Sequence, residues 1–218
     1  MTVPTARRGL LLDLDGTLAR SVGVLEDVYY RFLDERGRRG SPEEFTRLNG
    51  PAFAEVVATL QRTHSLPGSL DQLKIDYMAL IRQSYDSVEP NEGARALIAA
   101  SAAAGWRIGV VTSNTLDVTL RWLRHVGLAD RITAVTTGET VARGKPAPDI
   151  YLKALRDCEC QAAQSCAVED TPTGAISAVN AGIKTYVLTA GANTESPAWP
   201  VGVEKIRSLE QLIPLISS

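Results

Sequence analysis

The chain has 218 residues, 44% of them hydrophobic and 22% charged, which suits one domain or one domain with a small insert and excludes a disordered tail. Lys and Arg total 23 against 25 for Asp and Glu, a formal net charge of −2, so the basic excess of a nucleic-acid binder is missing. Apolar runs such as Ala96–Ala104 are too short to cross a bilayer, and Met1 to Arg8 lacks the apolar stretch of a secretory signal. Cys158, Cys160 and Cys166 are odd in number and match no zinc spacing, which points to free thiols in a reducing cytoplasm. The expectation is a cytoplasmic globular protein with neither a nucleic-acid nor a membrane partner.

In chain order, Leu10-Leu11-Leu12 reads as a buried strand that runs into Asp13. The next stretch, 20–87, is charged and helix-periodic and too long for one ordinary connection. Tyr29-Tyr30-x-Phe32-Leu33, Phe53–Leu60 and Leu73–Ile81 predict at least three helices there. The stretch therefore reads as an inserted helical subdomain, entered after Leu18 and left near Glu89-Pro90. Ala94–Ala104 predicts a helix stopped by Gly105, and Arg107–Thr112 a second strand. In Thr115–Val126, Leu116, Leu120, Leu123 and Val126 form one apolar stripe, ended by Gly127. Ile132–Thr136, Ser165–Val168 and Thr185–Leu188 complete five strands that alternate with helices. That alternation predicts an α/β fold with a parallel sheet covered on both faces.

Chemistry gathers behind the strands. Asp13-Leu14-Asp15-Gly16-Thr17 places two carboxylates at a strand's carboxyl end, the edge where open parallel sheets bind ligands. Glu169-Asp170 repeats the pattern after Val168. Like charges this close call for a cation or a proton between them, and hard carboxylate oxygens suit Mg²⁺. Thr112-Ser113-Asn114 offers hydroxyls and backbone amides at a helix start, an anion cradle or ordinary capping. Lys145, one of 5 lysines against 18 arginines, sits between Gly144 and Pro146 and is suited to hold a phosphate oxygen beside a carboxylate. His64 and His125 read as peripheral.

In order and spacing, Asp-x-Asp-Gly-Thr, Thr-Ser-Asn, Gly-Lys-Pro-x-Pro-Asp and Glu-Asp before a helix resemble the haloacid dehalogenase-like superfamily of phosphotransferases. The last two motifs look most like its phosphoglycolate phosphatase and β-phosphoglucomutase branch. The resemblance implies a Rossmann-like core, 1–19 and 88–218, with 20–87 as a small α-helical cap of the C1 type. It implies a Mg²⁺-dependent phosphatase acting on a small phosphorylated metabolite, as a monomer or homodimer. Asp13 would be the nucleophile that becomes an aspartyl-phosphate, and Asp15 the general acid and base. Mg²⁺ would be held by Asp13, Asp15 through its carbonyl, Glu169 and Asp170. Thr112 and Lys145 would stabilise the phosphoryl group, with Gly16, Thr17, Ser113 and Asn114 around it. A phosphosugar mutase is the alternative, although the histidine expected soon after the first motif is replaced by Ala19-Arg20-Ser21-Val22-Gly23. A receiver-like signalling domain is disfavoured by the helical insert. Arg20 is either a crevice residue for an anionic substrate group or a solvated hinge residue. Arg47, in Arg47-Leu48-Asn49-Gly50-Pro51, either pairs with a substrate carboxylate or second phosphate or belongs to a turn between cap helices.

Overall fold

The computed structural model describes residues 7–189 and 199–217. Six parallel strands form one sheet in the order β3-β2-β1-β4-β5-β6. They are β1 (Arg7–Leu12), β2 (Arg107–Thr112), β3 (Ala134–Thr137), β4 (Cys160–Glu169), β5 (Lys184–Leu188) and β6 (Glu204–Ile206). β1 is central because Leu10, Leu11 and Leu12 are all fully buried, as a strand covered on both faces requires. Leu10 and Leu12 join the cluster on one face with α5 (Ala94–Ala103) and α6 (Leu116–His125), while Leu11 meets α7 (Asp149–Asp157) and α8 (Pro172–Asn180) on the other. The connections reverse direction between β1 and β4, so the crevice for ligands opens at the carboxyl ends of these two strands.

The sheet differs from expectation at its margins. β6 is an additional strand, short and with only Ile206 buried, so it carries no hydrophobic period. β4 starts at Cys160 rather than Ser165. Its first half is mostly exposed, and its register against β1 shifts between Arg7 and Gly9.

Between β1 and α5 lie α1 (Val22–Asp34), α2 (Pro42–Leu48), α3 (Phe53–His64) and α4 (Leu70–Tyr85). Ser41 starts α2 by accepting from the Glu44 amide at 3.2 Å, with Pro42 in the first turn. The Phe32 and Tyr77 ring centroids are 4.6 Å apart, and Phe53 stacks on Tyr77 at 6.0 Å. The buried Phe32 and Tyr77 rings each contribute about 2 kcal/mol of transfer free energy. His64 packs within the inserted helices and does not line the cavity: its Nε2 lies 2.8 Å from Glu44 Oε2, and Tyr29 donates to the same oxygen. These helices share one hydrophobic cluster with the sheet, running from Leu10 and Leu12 through Leu18 to Leu33 and Ile81. Among the described residues no helix is long and apolar enough to cross a membrane.

Candidate active site

Asp13 follows β1, and its amide donates to the Val168 carbonyl at 3.0 Å, which sets it beside the end of β4. Carboxylate oxygens of Asp13, Glu169 and Asp170 lie within 4.8 Å of one another. The Lys145 ammonium sits among them, 2.6 Å from Asp13 Oδ1 and 2.6 Å from Glu169 Oε1, and donates to the Val111 carbonyl at 3.1 Å. Tyr151 of α7 donates to Glu169 Oε1 at 2.6 Å. Glu169 Oε2 and Asp170 Oδ1 are buried and have no hydrogen-bond partner among the described residues. Two orphaned carboxylate oxygens at the floor of a crevice mark a place for a cation, and a hard oxygen donor set fits Mg²⁺.

The electrostatics agree with an excess of negative charge. Burial pushes the Asp13 carboxyl up to about 8, with Glu169 adding to the shift and Lys145 opposing it. Asp170 is raised well above its ordinary value by burial and then by Asp13 and Glu169. Burial works against the Lys145 ammonium, yet the charges of Asp13 and Glu169 more than offset it and hold the group above its ordinary value.

Two glycines make the close packing possible. Gly16 has φ +88°, and a Cβ there would fall inside the Asp170 carboxylate. At Gly174, in the first turn of α8, a Cβ would collide with the Glu169 carboxylate. Asn91 Nδ2 braces the first loop by donating to the carbonyls of Gly16 at 2.7 Å and Thr17 at 2.9 Å.

Asp15 lines the same cavity but has a different environment. Its Oδ1 accepts from Ser21 Oγ at 2.7 Å and from the Tyr85 hydroxyl, and its Oδ2 accepts from Asn114 Nδ2 at 3.2 Å. The Asp15 side chain therefore stands apart from the acidic cluster, which has three carboxylates rather than four. Thr112 Oγ1 accepts from the Asn114 amide at 3.0 Å, which leaves its hydroxyl proton free to donate into the cavity. Ser113 Oγ donates to the Gly50 carbonyl at 2.6 Å and so ties the α2–α3 loop to the end of β2.

Four of the expected residues are placed elsewhere. Gly16 and Thr17 do not line the cavity; Thr17 is fully buried, and Gly16 serves by making room for Asp170. Arg20 is exposed, and among the described residues it is engaged through its backbone, whose amide donates to the Glu89 carbonyl at 2.9 Å. Arg47 lies in the last turn of α2, not in a loop, and borders a neighbouring depression with Glu44 and Glu55, which shares Leu48, Pro51 and Val56 with the cavity. Conversely, Ser21, Tyr85, Asn91 and Tyr151 touch the site without having been singled out. For the two tyrosines the sequence carries no local signal, because Tyr85 reaches its carboxylate from the last residue of α4 and Tyr151 from the first turn of α7.

A family model described as haloacid dehalogenase-like hydrolase matches residues 10–188. The chain belongs to the haloacid dehalogenase-like hydrolase family. A phosphoglycolate phosphatase of Rhodospirillum rubrum is 30% identical over 200 residues, covering 88% of this chain and 83% of that protein. The bifunctional riboflavin kinase/FMN phosphatase of Arabidopsis thaliana is 26% identical over 82% of this chain, which spans only 48% of that longer protein. Among solved structures, CbbY of Rhodobacter sphaeroides bound to xylulose-1,5-bisphosphate superposes with a TM-score of 0.82, covering 95% of this chain and 96% of that one at 22% identity. That likeness shows the fold. The matched range includes the carboxyl ends of β1, β2 and β4 and the loop before α7, where the candidate residues of this hydrolase lie.

Proposed function

We propose that this protein is a Mg²⁺-dependent phosphatase that hydrolyses a small phosphomonoester through a phosphorylated Asp13. The observation that carries the reading is that two carboxylates of one loop face one cavity from opposite environments. Asp13 sits among Lys145 and two further acids, whereas Asp15 is held by the neutral donors Ser21, Tyr85 and Asn114. Such a division assigns one group to attack and the other to proton transfer.

Asp13 attacks phosphorus to give the aspartyl-phosphate while Asp15 protonates the departing oxygen. Asp15 then takes a proton from the water that cleaves the intermediate. Lys145 orients Asp13 and spreads the negative charge, and the Thr112 hydroxyl donates to a phosphoryl oxygen. Asp13 and Asp170 are suited to hold Mg²⁺, with Glu169 turned partly toward Lys145. When bound, the ion would reduce repulsion between the anionic nucleophile and the phosphate. The relatives named as phosphatases support the hydrolytic outcome.

Release of phosphate from p-nitrophenyl phosphate and a panel of sugar and acid phosphates tests the reading. Wild type with Mg²⁺ is expected to turn over, and Asp13→Asn to be inactive. Equal release by the two proteins across the panel sinks the proposal. Isomerisation of a sugar phosphate without free phosphate would replace it by a mutase.

A further inference from the structure

We infer that the ester accepted by this cavity has an uncharged, largely apolar leaving group, and not a carboxylate, a second phosphate or a polyol. The inference rests on the phosphatase reading and narrows it to a substrate class.

The charges of the cavity all lie on its floor, in Asp13, Asp15, Lys145 and Asp170. Its opposite wall is built by Leu25, Phe45, Leu48, Phe53, Val56 and Ile81 from the four inserted helices. Only two side chains on that wall are polar, Asn49 and Tyr77, and both are neutral. Burial holds the Tyr77 phenol above its ordinary value, and neither side chain makes a hydrogen bond to another described residue. They offer a leaving group one or two neutral contacts.

Every lysine and arginine of the chain lies within the described residues, and of these Lys145 alone lines the cavity. Its ammonium is already shared between Asp13 and Glu169. A second anionic group on the substrate would be stripped of water against hydrocarbon with no cation to meet it, a cost of several kcal/mol. Arg20 and Arg47 do not line the cavity: Arg20 is exposed, and Arg47 borders a neighbouring depression across Leu48, Pro51 and Val56. A polyol would exchange water for the same hydrocarbon and find on that wall only the Asn49 and Tyr77 contacts.

The test is a kcat/KM comparison on the full chain with Mg²⁺, using benzyl phosphate, phosphoglycolate, glycerol 3-phosphate and a sugar bisphosphate. All four have alkoxide leaving groups, so intrinsic reactivity differs little. Benzyl phosphate is expected to lead each of the others by about tenfold or more, as one lost polar contact or more implies. An Asn49→Arg variant puts a cation on the wall at a partly exposed position beyond α2, and it should shift the benzyl phosphate to phosphoglycolate ratio toward phosphoglycolate by roughly tenfold. Asp13-dependent turnover that favours an anionic ester overturns the inference and leaves the phosphatase reading standing. An unchanged ratio in Asn49→Arg also overturns it, because the wall would then not set the choice. If no ester is turned over in an Asp13-dependent way, the phosphatase reading fails and takes the inference with it.

Discussion

The hydroxyl of Tyr85, the last residue of α4, donates to Oδ1 of Asp15, across 70 positions of sequence. The contact joins the exit of the inserted helices to the residue assigned to proton transfer. Burial and the Asp15 charge both hold the Tyr85 phenol well above its ordinary value, so it acts as a donor over the whole working range. Tyr85→Phe keeps the ring and removes the donor. The expected result is a kcat lower by roughly tenfold with KM little changed, since a hydrogen bond to a charged group is worth about 1.5–3 kcal/mol. Steady-state kinetics on any accepted ester decide it, and a change confined to KM would count against the contact.

The acidic cluster predicts a pH-dependent response to metal. Asp13 is raised in the folded state to about 8 from an ordinary 3.8. A carboxyl with a raised folded pKa contributes stability that is complete below its unfolded value and is lost as pH rises through its folded value. Metal-free protein should therefore lose stability between about pH 4 and pH 8 through this group. Excess MgCl2 binds the ionised carboxylate and no longer competes with a proton above that window, so its Tm increase should be larger near pH 9 than near pH 6. Thermal scans at the two pH values, with and without the salt, read this out; equal increases refute it.

Gly16→Ala should damage the site through shape alone. The added methyl meets the Asp170 carboxylate, and φ +88° strains any L side chain. Urea titration should show a loss of about 2–4 kcal/mol, combining overpacking with backbone strain. Isothermal titration should show weaker Mg²⁺ binding. A variant as stable as wild type would place Asp170 elsewhere.

Ser113→Ala removes the 2.6 Å hydrogen bond to the Gly50 carbonyl. Gly50 itself has φ +117° and is pressed against Thr173, so the loop meets the core at two points. Losing about 1 kcal/mol of closure should raise KM roughly fivefold while leaving kcat within about twofold. A fall in kcat with KM unchanged would mean that Ser113 acts on the phosphoryl group rather than on the loop.

The strand-end acids were legible because two carboxylates directly behind a fully apolar strand have few structural explanations, and Asp13, Glu169 and Asp170 meet as that pattern implies. Lys145 was legible for a similar reason, a rare residue fixed between Gly144 and Pro146. Arg47 was not, although Ser41-Pro42-Glu43-Glu44 carries the signature of a helix start and would have put Arg47 on α2 instead of in a loop. The Asp15 side chain was expected in the same constellation as the other acids, but its partners Ser21, Tyr85 and Asn114 come from three separate segments whose convergence no local pattern announces. β6 escaped because three residues with one buried side chain have no period to detect.

The position of β1 between β2 and β4 has a consequence for biosynthesis. A nascent chain has made Asp13 long before Cys160–Glu169 leaves the ribosome, so the first carboxylate waits for its partners through most of translation. Until β4 docks, β1 presents a bare edge of unpaired backbone groups beside the apolar run Leu10–Leu12, the kind of surface that chaperones shield and that seeds aggregates. Truncated products ending before β4 would be both catalytically silent and adhesive, and catalytic competence arrives only with the final third of the polypeptide.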